Sequence, residues 1–400
     1  MYEIFADLHV HIGRTESGKP VKITAAKSLN FANIAKECVE RKGINLVGII
    51  DCASPYVIED IENFLKTGEA YELEDGGIIY KDKVCILLGS EVETSEKGRN
   101  GKCGSAHNIC FFPHLTDIKE FSKEMSTHIK NITLSTQRSN ISGYELIDIV
   151  EKYNGILIPA HCFTPHKSYY GNCTDRLQNI FKEKYERIPA IELGLSSDTY
   201  LADTISELET KTFLTNSDAH SLPKIAREYN KILVEDVNFK EFVKALKNEE
   251  GRKVIANYGL DPKLGKYHRS YCEDCEETIE IEEIATSCPK CSGGNITFGV
   301  FDRIQLIKDK EKTKSPKNRP EYIYQVPLSF IPGVGGKTIE KLLKTFSTEM
   351  NILHKLSQDD IEAVVGEKVA QNIEEARSGK MIVHSGGGGV YGKIEQEINT

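Results

Sequence analysis

The chain has no apolar stretch approaching the ~20 residues that a membrane-spanning helix needs, so a transmembrane role is not expected. Its first residues, MYEIFADLHVHIG, lack the basic start and apolar core of a secretory signal, and a cytoplasmic location is expected. It also lacks a surplus of positive charge. A net charge of −9 argues against a protein that coats nucleic acid, because phosphate binding draws on spare Lys and Arg. The charge is uneven, however. Residues 303–319 hold seven Lys or Arg against two acids, whereas residues 273–283 hold seven acids and no base. A local basic surface therefore remains open. An even set of cysteines is missing too. Eleven Cys without an export signal fit a reducing compartment rather than a disulfide scaffold. No repeat of 20–50 residues is found.

Four hundred residues exceed the need of one small core, and two or three domains are expected. Residues 1–255 read as repeated strand and helix. FADLHVHI, INLVGIID, VCILLGSEVE, HNICFFP, GILIPAHCF, AIELGLS and TFLTNSDAH are apolar runs that end in polar residues. Helical stretches such as AAKSLNFANIAKECVERKG, SGYELIDIVEKYN and FKEFVKALKNEE lie among them. The alternation predicts an α/β fold with a largely parallel sheet, a barrel whose site gathers at the strand C-termini. Residues 268–300 form a small cysteine module, and residues 302–325 read as a charged linker or exposed hairpin. Residues 326–400 are helical at first and end in the Gly-rich run HSGGGGVYGKI.

Chemistry-bearing residues concentrate at the strand ends. His9 and His11 form an HxH pair, and residues i and i+2 of a strand share a face, so both imidazoles can reach one metal. Asp51 ends LVGII, Glu91 follows CILLGS, His107 opens HNICFF and His161 follows ILIPA. Asp218 and His220 form a second same-face pair. Imidazoles and carboxylates suit Zn, Mn or Fe and can hold two or three ions, with Glu91 placed to bridge. Clustered divalent ions lower the pKa of bound water and neutralise charge on a phosphoryl group.

Cys272-x2-Cys275 and Cys288-x2-Cys291 read as two knuckles closing a tetrahedral Zn site without an open position, hence structural. FIPGVGGKTIEKLLKTF places Gly333, Gly335 and Gly336 in a turn before a helix near Lys337 and Thr338, where free N–H groups can hold a phosphate oxygen. The spacing is not that of a Walker A motif.

The ordered set DLHVH, IIDCA, GSEVE, AHNICFF, IPAH and NSDAH resembles the PHP (polymerase and histidinol phosphatase) superfamily over about residues 1–250. That resemblance implies a PHP-type distorted (β/α)7 barrel and phosphoester hydrolysis by a metal cluster. Two departures stand out. Residues 12–20 contain no further His, and Cys52 replaces the histidine of a TDH-like strand end. A third ion then depends on whether Cys52 is a ligand. His114 is an alternative to His107, which fits the family pattern better. IPGVGGKT resembles the helix-hairpin-helix motif, which grips the duplex backbone, and AVVGEKVAQNI could be a degenerate second copy.

A PHP barrel (1–255), a four-cysteine zinc module (268–300) and a helix-hairpin-helix-like DNA-binding tail (326–400) together look like the endonuclease Q family, as do the runs PAHCFTP, ELGLSSD and AREYN. The resemblance implies incision of DNA 5′ of deaminated bases (uracil, hypoxanthine, xanthine) and abasic sites by a metal-activated hydroxide, leaving 3′-hydroxyl and 5′-phosphate ends. The expected cofactors are Zn, Mn or Mg ions, two or three in the active site, and one structural Zn. The expected partner is damaged DNA, bound by a monomer, with a sliding clamp or other repair proteins as candidate partners. Weakly paired bases flip more easily. Phe163, Tyr169 and Tyr170 are offered either for stacking on a flipped base or for filling the barrel mouth. Two rival readings are a small-molecule phosphatase of the histidinol-phosphatase type and a non-catalytic DNA-binding PHP scaffold.

Overall fold

In the computed structural model, residues 1–97, 103–279, 287–311, 315–379, 381–384 and 392–395 are described. Part of the basic stretch (312–314), of the acidic run (280–283) and of the Gly-rich run (385–391) lies outside these residues.

Seven strands build the centre: β1 (Tyr2–Val10), β2 (Leu46–Ile49), β3 (Val84–Lys97), β4 (Cys103–Phe112), β5 (Ile156–Pro159), β6 (Ala190–Glu192) and β7 (Thr212–Leu214). β1–β2, β2–β3 and β6–β7 pair in parallel, and β3–β4 and β4–β5 pair antiparallel. Between β5 and β6 the join is a single backbone bond, Cys162 N–H to Glu192 O at 2.9 Å. The segment after β7 returns to β1, with His11 N–H to Ala219 O and Ala219 N–H to His9 O, both 3.1 Å. The circuit of strands thus closes. One apolar cluster takes a side chain from every one of them: Leu8, Leu46, Leu87, Phe111, Ile158, Ala190 and Leu214. This is the packed interior of a distorted barrel, not a pore. Phe111 fills its middle because Gly48 and Gly89 leave room. A Cβ at either would stand 2.7 or 2.8 Å from the ring.

The sheet is more antiparallel than the strand–helix alternation predicts. β4 pairs antiparallel with β3 from Leu88↔Phe112 to Lys97↔Cys103, so it runs back along it. β8 (Tyr229–Val234) and β9 (Lys253–Gly259) extend β1 outward, again antiparallel. Helices cover the outside. The expected helix ending at Gly43 begins only at Phe31, where Asn30 caps it, and Gly43 ends the following turn at φ 78°. Helix Gly143–Lys152 starts on a capping box of Ser142 and Glu145.

The described parts of residues 302–325 pack on the barrel instead of standing off as a linker or an exposed hairpin. Helix Val300–Ile307 packs on the barrel, and β10 (Glu321–Tyr324) adds in parallel to β9. Two of the seven bases in the basic stretch brace this fold. Arg303 is buried, pairs with Asp175 and donates to Tyr170 O at 2.7 Å. Arg319 pairs with Asp203 at 2.7 Å and lies 3.5 Å over the Phe213 ring. A buried guanidinium needs such partners, so these two are unavailable to DNA.

A three-stranded sheet (Ser270–Cys272, Glu277–Ile279, Ile296–Thr297) carries the cysteine module. Helices Gly336–Phe346, Glu349–His354, Gln358–Val365 and Glu367–Arg377 enclose their own core around Leu342, Ile352, Ile361 and Ile373. This helical unit docks on the barrel. Arg41 forks onto Glu340 at 2.7 and 3.2 Å, Lys42 reaches Glu349 at 2.8 Å, and His354 stacks on Phe5 at 4.5 Å. Among the described residues no helix is long and apolar enough to cross a membrane.

Candidate active site

The strand ends bring the histidines and acids into two adjoining clusters. His9, His11 and Asp218 form one, and Glu91, His107 and His161 the other; within each, the donor atoms lie within 4.8 Å of one another. Glu91 stands between them. Its Oε1 is 2.9 Å from His107 Nδ1, 3.4 Å from His161 Nε2 and 3.5 Å from His9 Nε2, and its Oε2 is 3.6 Å from His11 Nε2. Its two oxygens thus face both groups of donors. Asp218 and His161 both hold left-handed backbone, at φ 44° and 27°, a strained conformation for residues other than glycine. Gly194 permits the close approach: its φ is 78°, and a Cβ there would stand 3.0 Å from His161 Cβ.

His220 lies just outside the first cluster, its Nε2 3.3 Å from Asp218 Oδ1 and its ring 4.8 Å from that of His11. Asp51 belongs to neither cluster. It sits behind His11, accepting from Nδ1 at 3.0 Å and from Ile12 N–H at 2.7 Å. Cys52 turns away, its buried thiol donating to Ile49 O at 3.1 Å, and burial pushes its pKa up. His114 caps helix Leu115–Met125 instead.

Three residues not singled out from the sequence complete the site. Glu192 does for His9 what Asp51 does for His11, accepting from Nδ1 at 3.0 Å and also from His161 N–H at 2.7 Å. Its signal was present in the strand-end acid of AIELGLS. Lys22 Nζ lies 3.2 Å from His11 Nε2 and 3.5 Å from Glu91 Oε2, and it donates to Thr136 at 2.7 Å. The loop that lacks a further histidine thus delivers a cation. Thr136 in turn donates to Glu91 Oε2 at 2.6 Å.

Burial alone would raise the pKa of Glu91, but His107 and Lys22 hold it well below the usual range. Asp218 is held down in the same way by His11 and His220 against burial. Both therefore stay anionic. The donor set fits a cation. With Nδ1 engaged by Glu192, His9 Nε2 is buried without a hydrogen-bond partner. It faces Glu91 at 3.5 Å and Asp218 at 3.6 Å, too long for hydrogen bonds. Ligands each about 2.0–2.2 Å from one ion stand roughly that far apart.

A cleft of about 360 Å³ opens beside the clusters. Lys224, Arg227, Lys266 and Tyr267 line it together with His161 and Asp218. Phe163, Tyr169 and Tyr170 do not reach it as stacking groups. All three are buried; Tyr170 stacks on Phe163 at 5.0 Å, Tyr169 bonds Asn108 at 2.9 Å, and Tyr170 bonds Glu207 at 2.5 Å. They pack in an apolar cluster with Leu177, Phe181 and Tyr185, and their rings already face one another or Phe181.

The four cysteines converge as expected. Sγ separations are 3.6 Å (Cys272–Cys291) and 3.9 Å (Cys275–Cys288). Sulfurs each about 2.3 Å from one zinc stand roughly 3.8 Å apart. The Lys290 and Gly293 amides point at the Cys288 and Cys291 sulfurs, both at 3.4 Å, as donors to thiolates do. In the tail, Gly333 adopts φ 83°, and a Cβ at Gly335 or Gly336 would meet nothing within 4 Å. The turn before helix Gly336–Phe346 is open to a close neighbour, with Lys337 exposed beside it.

Residues 316–346 match the family model described as the IMS family HHH motif. Over 396 residues, 99% of the chain, the sequence is 48% identical to the uncharacterized protein YqxK of Bacillus subtilis (strain 168), covering 100% of it. The structure resembles the crystal structure of the lesion-specific endonuclease PfuEndoQ from Pyrococcus furiosus, with a TM-score of 0.82 and 32% identity over 99% of this chain and 96% of that one. It is equally similar to Endonuclease Q in complex with a 27-mer duplex substrate bearing an abasic lesion at the active site. There the TM-score is 0.83 and the identity 31%, over 99% of this chain and 97% of that one.

Proposed function

Because the chain belongs to the endonuclease Q family, we propose that it is a metal-dependent DNA repair endonuclease. It hydrolyses the phosphodiester 5′ of deaminated bases (uracil, hypoxanthine, xanthine) and of abasic sites, leaving 3′-hydroxyl and 5′-phosphate ends. The observation that carries this reading is the pair of three-donor clusters sharing Glu91 beside a basic cleft.

His9, His11 and Asp218 would hold one divalent cation and Glu91, His107 and His161 a second, with His220 at the rim. Such ions, when bound, make water a nucleophile near neutral pH and neutralise charge growing on a phosphoryl group. The protein's own part is orientation. Glu192 and Asp51 fix the tautomers of His9 and His11, so that both present Nε2 to the site. Lys22 places a cation at the scissile phosphate. Lys224 and Lys266 draw the DNA backbone to the cleft. Its volume falls within the roughly 300–1,000 Å³ of small-molecule pockets. Tyr267, rather than the buried aromatics after His161, supplies a ring for a flipped base. The tail grips phosphates through the amides after Gly335.

A labelled duplex containing uracil or an abasic site, incubated with Mg or Mn, tests the reading. Incision 5′ of the lesion supports it. Phosphate release from small esters without incision would favour a phosphatase, and retention without cutting a scaffold.

A further inference from the structure

Ile23 is 78% exposed, more than any other exposed large hydrophobic side chain among the described residues. A single exposed apolar residue is ordinarily unremarkable. This one is set apart by where it stands and how it is held. It follows Lys22, whose ammonium reaches His11 and Glu91, and it precedes Thr24, which lines the cleft with His161 and Asp218. It occupies the tip of a turn closed by Ala25 N–H to Lys22 O at 3.0 Å.

Both ends of that turn are tied to segments that carry the clusters. Lys22 N–H bonds Ile12 O at 2.9 Å, and Ala26 N–H bonds His220 O at 2.8 Å. Val21, just before it, is buried and accepts from Ser135 N–H at 3.0 Å. Gly13 lets the loop lie close, since a Cβ there would fall 2.1 Å from Ala26 O. The side chain is β-branched and so restricted at χ1. A stiff aliphatic group is thus carried on a braced turn at the lip of the site and contributes little to the core.

We propose that Ile23 is a wedge that enters the base stack of duplex DNA and fills the space left by the flipped nucleotide. This rests on the DNA endonuclease reading and deepens it. A flipped nucleotide leaves a gap that closes unless something occupies it, and apolar side chains are suited to that place. Lys22 beside it keeps its ammonium within the candidate site, toward His11 and Glu91. The wedge and the clusters then share one frame, which fixes the distance from the opened step to the cut.

The test uses the full chain and a duplex carrying deoxyuridine with 2-aminopurine next to it. Fluorescence is read before Mn is added, and incision is read once Mn is present. Wild type raises the fluorescence severalfold, and Ile23→Ala keeps less than about a third of that rise. Incision of paired uracil falls about tenfold or more in Ile23→Ala, and by less than about threefold when the uracil lies in an unpaired loop. Ile23→Leu restores most of both. An undiminished rise in Ile23→Ala, or an equal loss on both substrates, overturns the wedge. Absence of lesion incision by wild type overturns the endonuclease reading and the wedge with it.

Discussion

Glu192 accepts a hydrogen bond from Nδ1 of His9 at 3.0 Å, and this fixes the face that His9 turns toward Glu91 and Asp218. The same carboxylate accepts the His161 amide at 2.7 Å and an Asn216 side-chain bond at 2.9 Å. One buried acid thereby registers a donor of each cluster.

Glu192→Gln is therefore expected to weaken metal binding by about 10–100-fold while leaving the fold intact. Incision measured against Mn concentration should show the activation midpoint shifted upward by that factor. An unchanged midpoint would show that Glu192 does not orient His9.

Asp218→Ala and His161→Ala each remove a donor from a different cluster. Incision should be abolished in both, with folding and duplex binding largely kept, because the metals' share of the rate is many orders of magnitude. Activity above roughly a tenth of wild type in either variant would contradict the site.

Cys272→Ser or Cys288→Ser should release about one Zn per chain and lower the melting temperature, since metal binding contributes folding energy. Metal analysis and calorimetry check this. Because Lys266 and Tyr267, on the approach to this module, line the cleft, incision should fall as well.

Lys337→Glu should weaken binding to damaged and undamaged duplex alike and reduce the slope of log K against log salt by about 1. It is a cleaner test than deleting residues 326–400. That deletion should also weaken binding and flatten the slope, but it would bare the barrel surface at Phe5 and Lys42 that the tail covers. Salt titrations of both variants with a short duplex decide the matter.

His354 Nε2 shares a hydrogen bond of 2.7 Å with the Tyr229 hydroxyl, and burial, with Lys231, Arg377 and Lys355 nearby, lowers its pKa to about 4. The unfolded chain takes up the proton near pH 6.5 and the folded chain does not, so stability is full above 6.5 and falls toward pH 4. Melting curves of wild type and His354→Phe should converge in slope above pH 6.5 and diverge below it, wild type losing more.

Most of the candidate donors were legible in the sequence because they sit at the ends of short apolar runs in a fixed order, four of them as an HxH and a DxH pair. The CxxC spacing and the open glycines of IPGVGGKT were legible for the same reason: each motif is local. Tertiary packing decided the rest. The run CFTPHKSYY offers aromatics to a pocket or to a core with equal force, and only the positions of Glu96, Asn108 and Glu207 send Tyr169 and Tyr170 inward. Arg303 and Arg319 read as surface charge until partners more than a hundred residues away neutralise them. Asp51 and Cys52 share a strand end, yet the route of the chain gives one to His11 and the other to a backbone carbonyl. Which atoms a polar group meets depends on segments far apart in sequence, and a local pattern carries no record of them. The sequence by itself determined which residues could bind metal, zinc and phosphate. The fold decided which of them face one another and which stand behind, because long-range packing alone sets those distances.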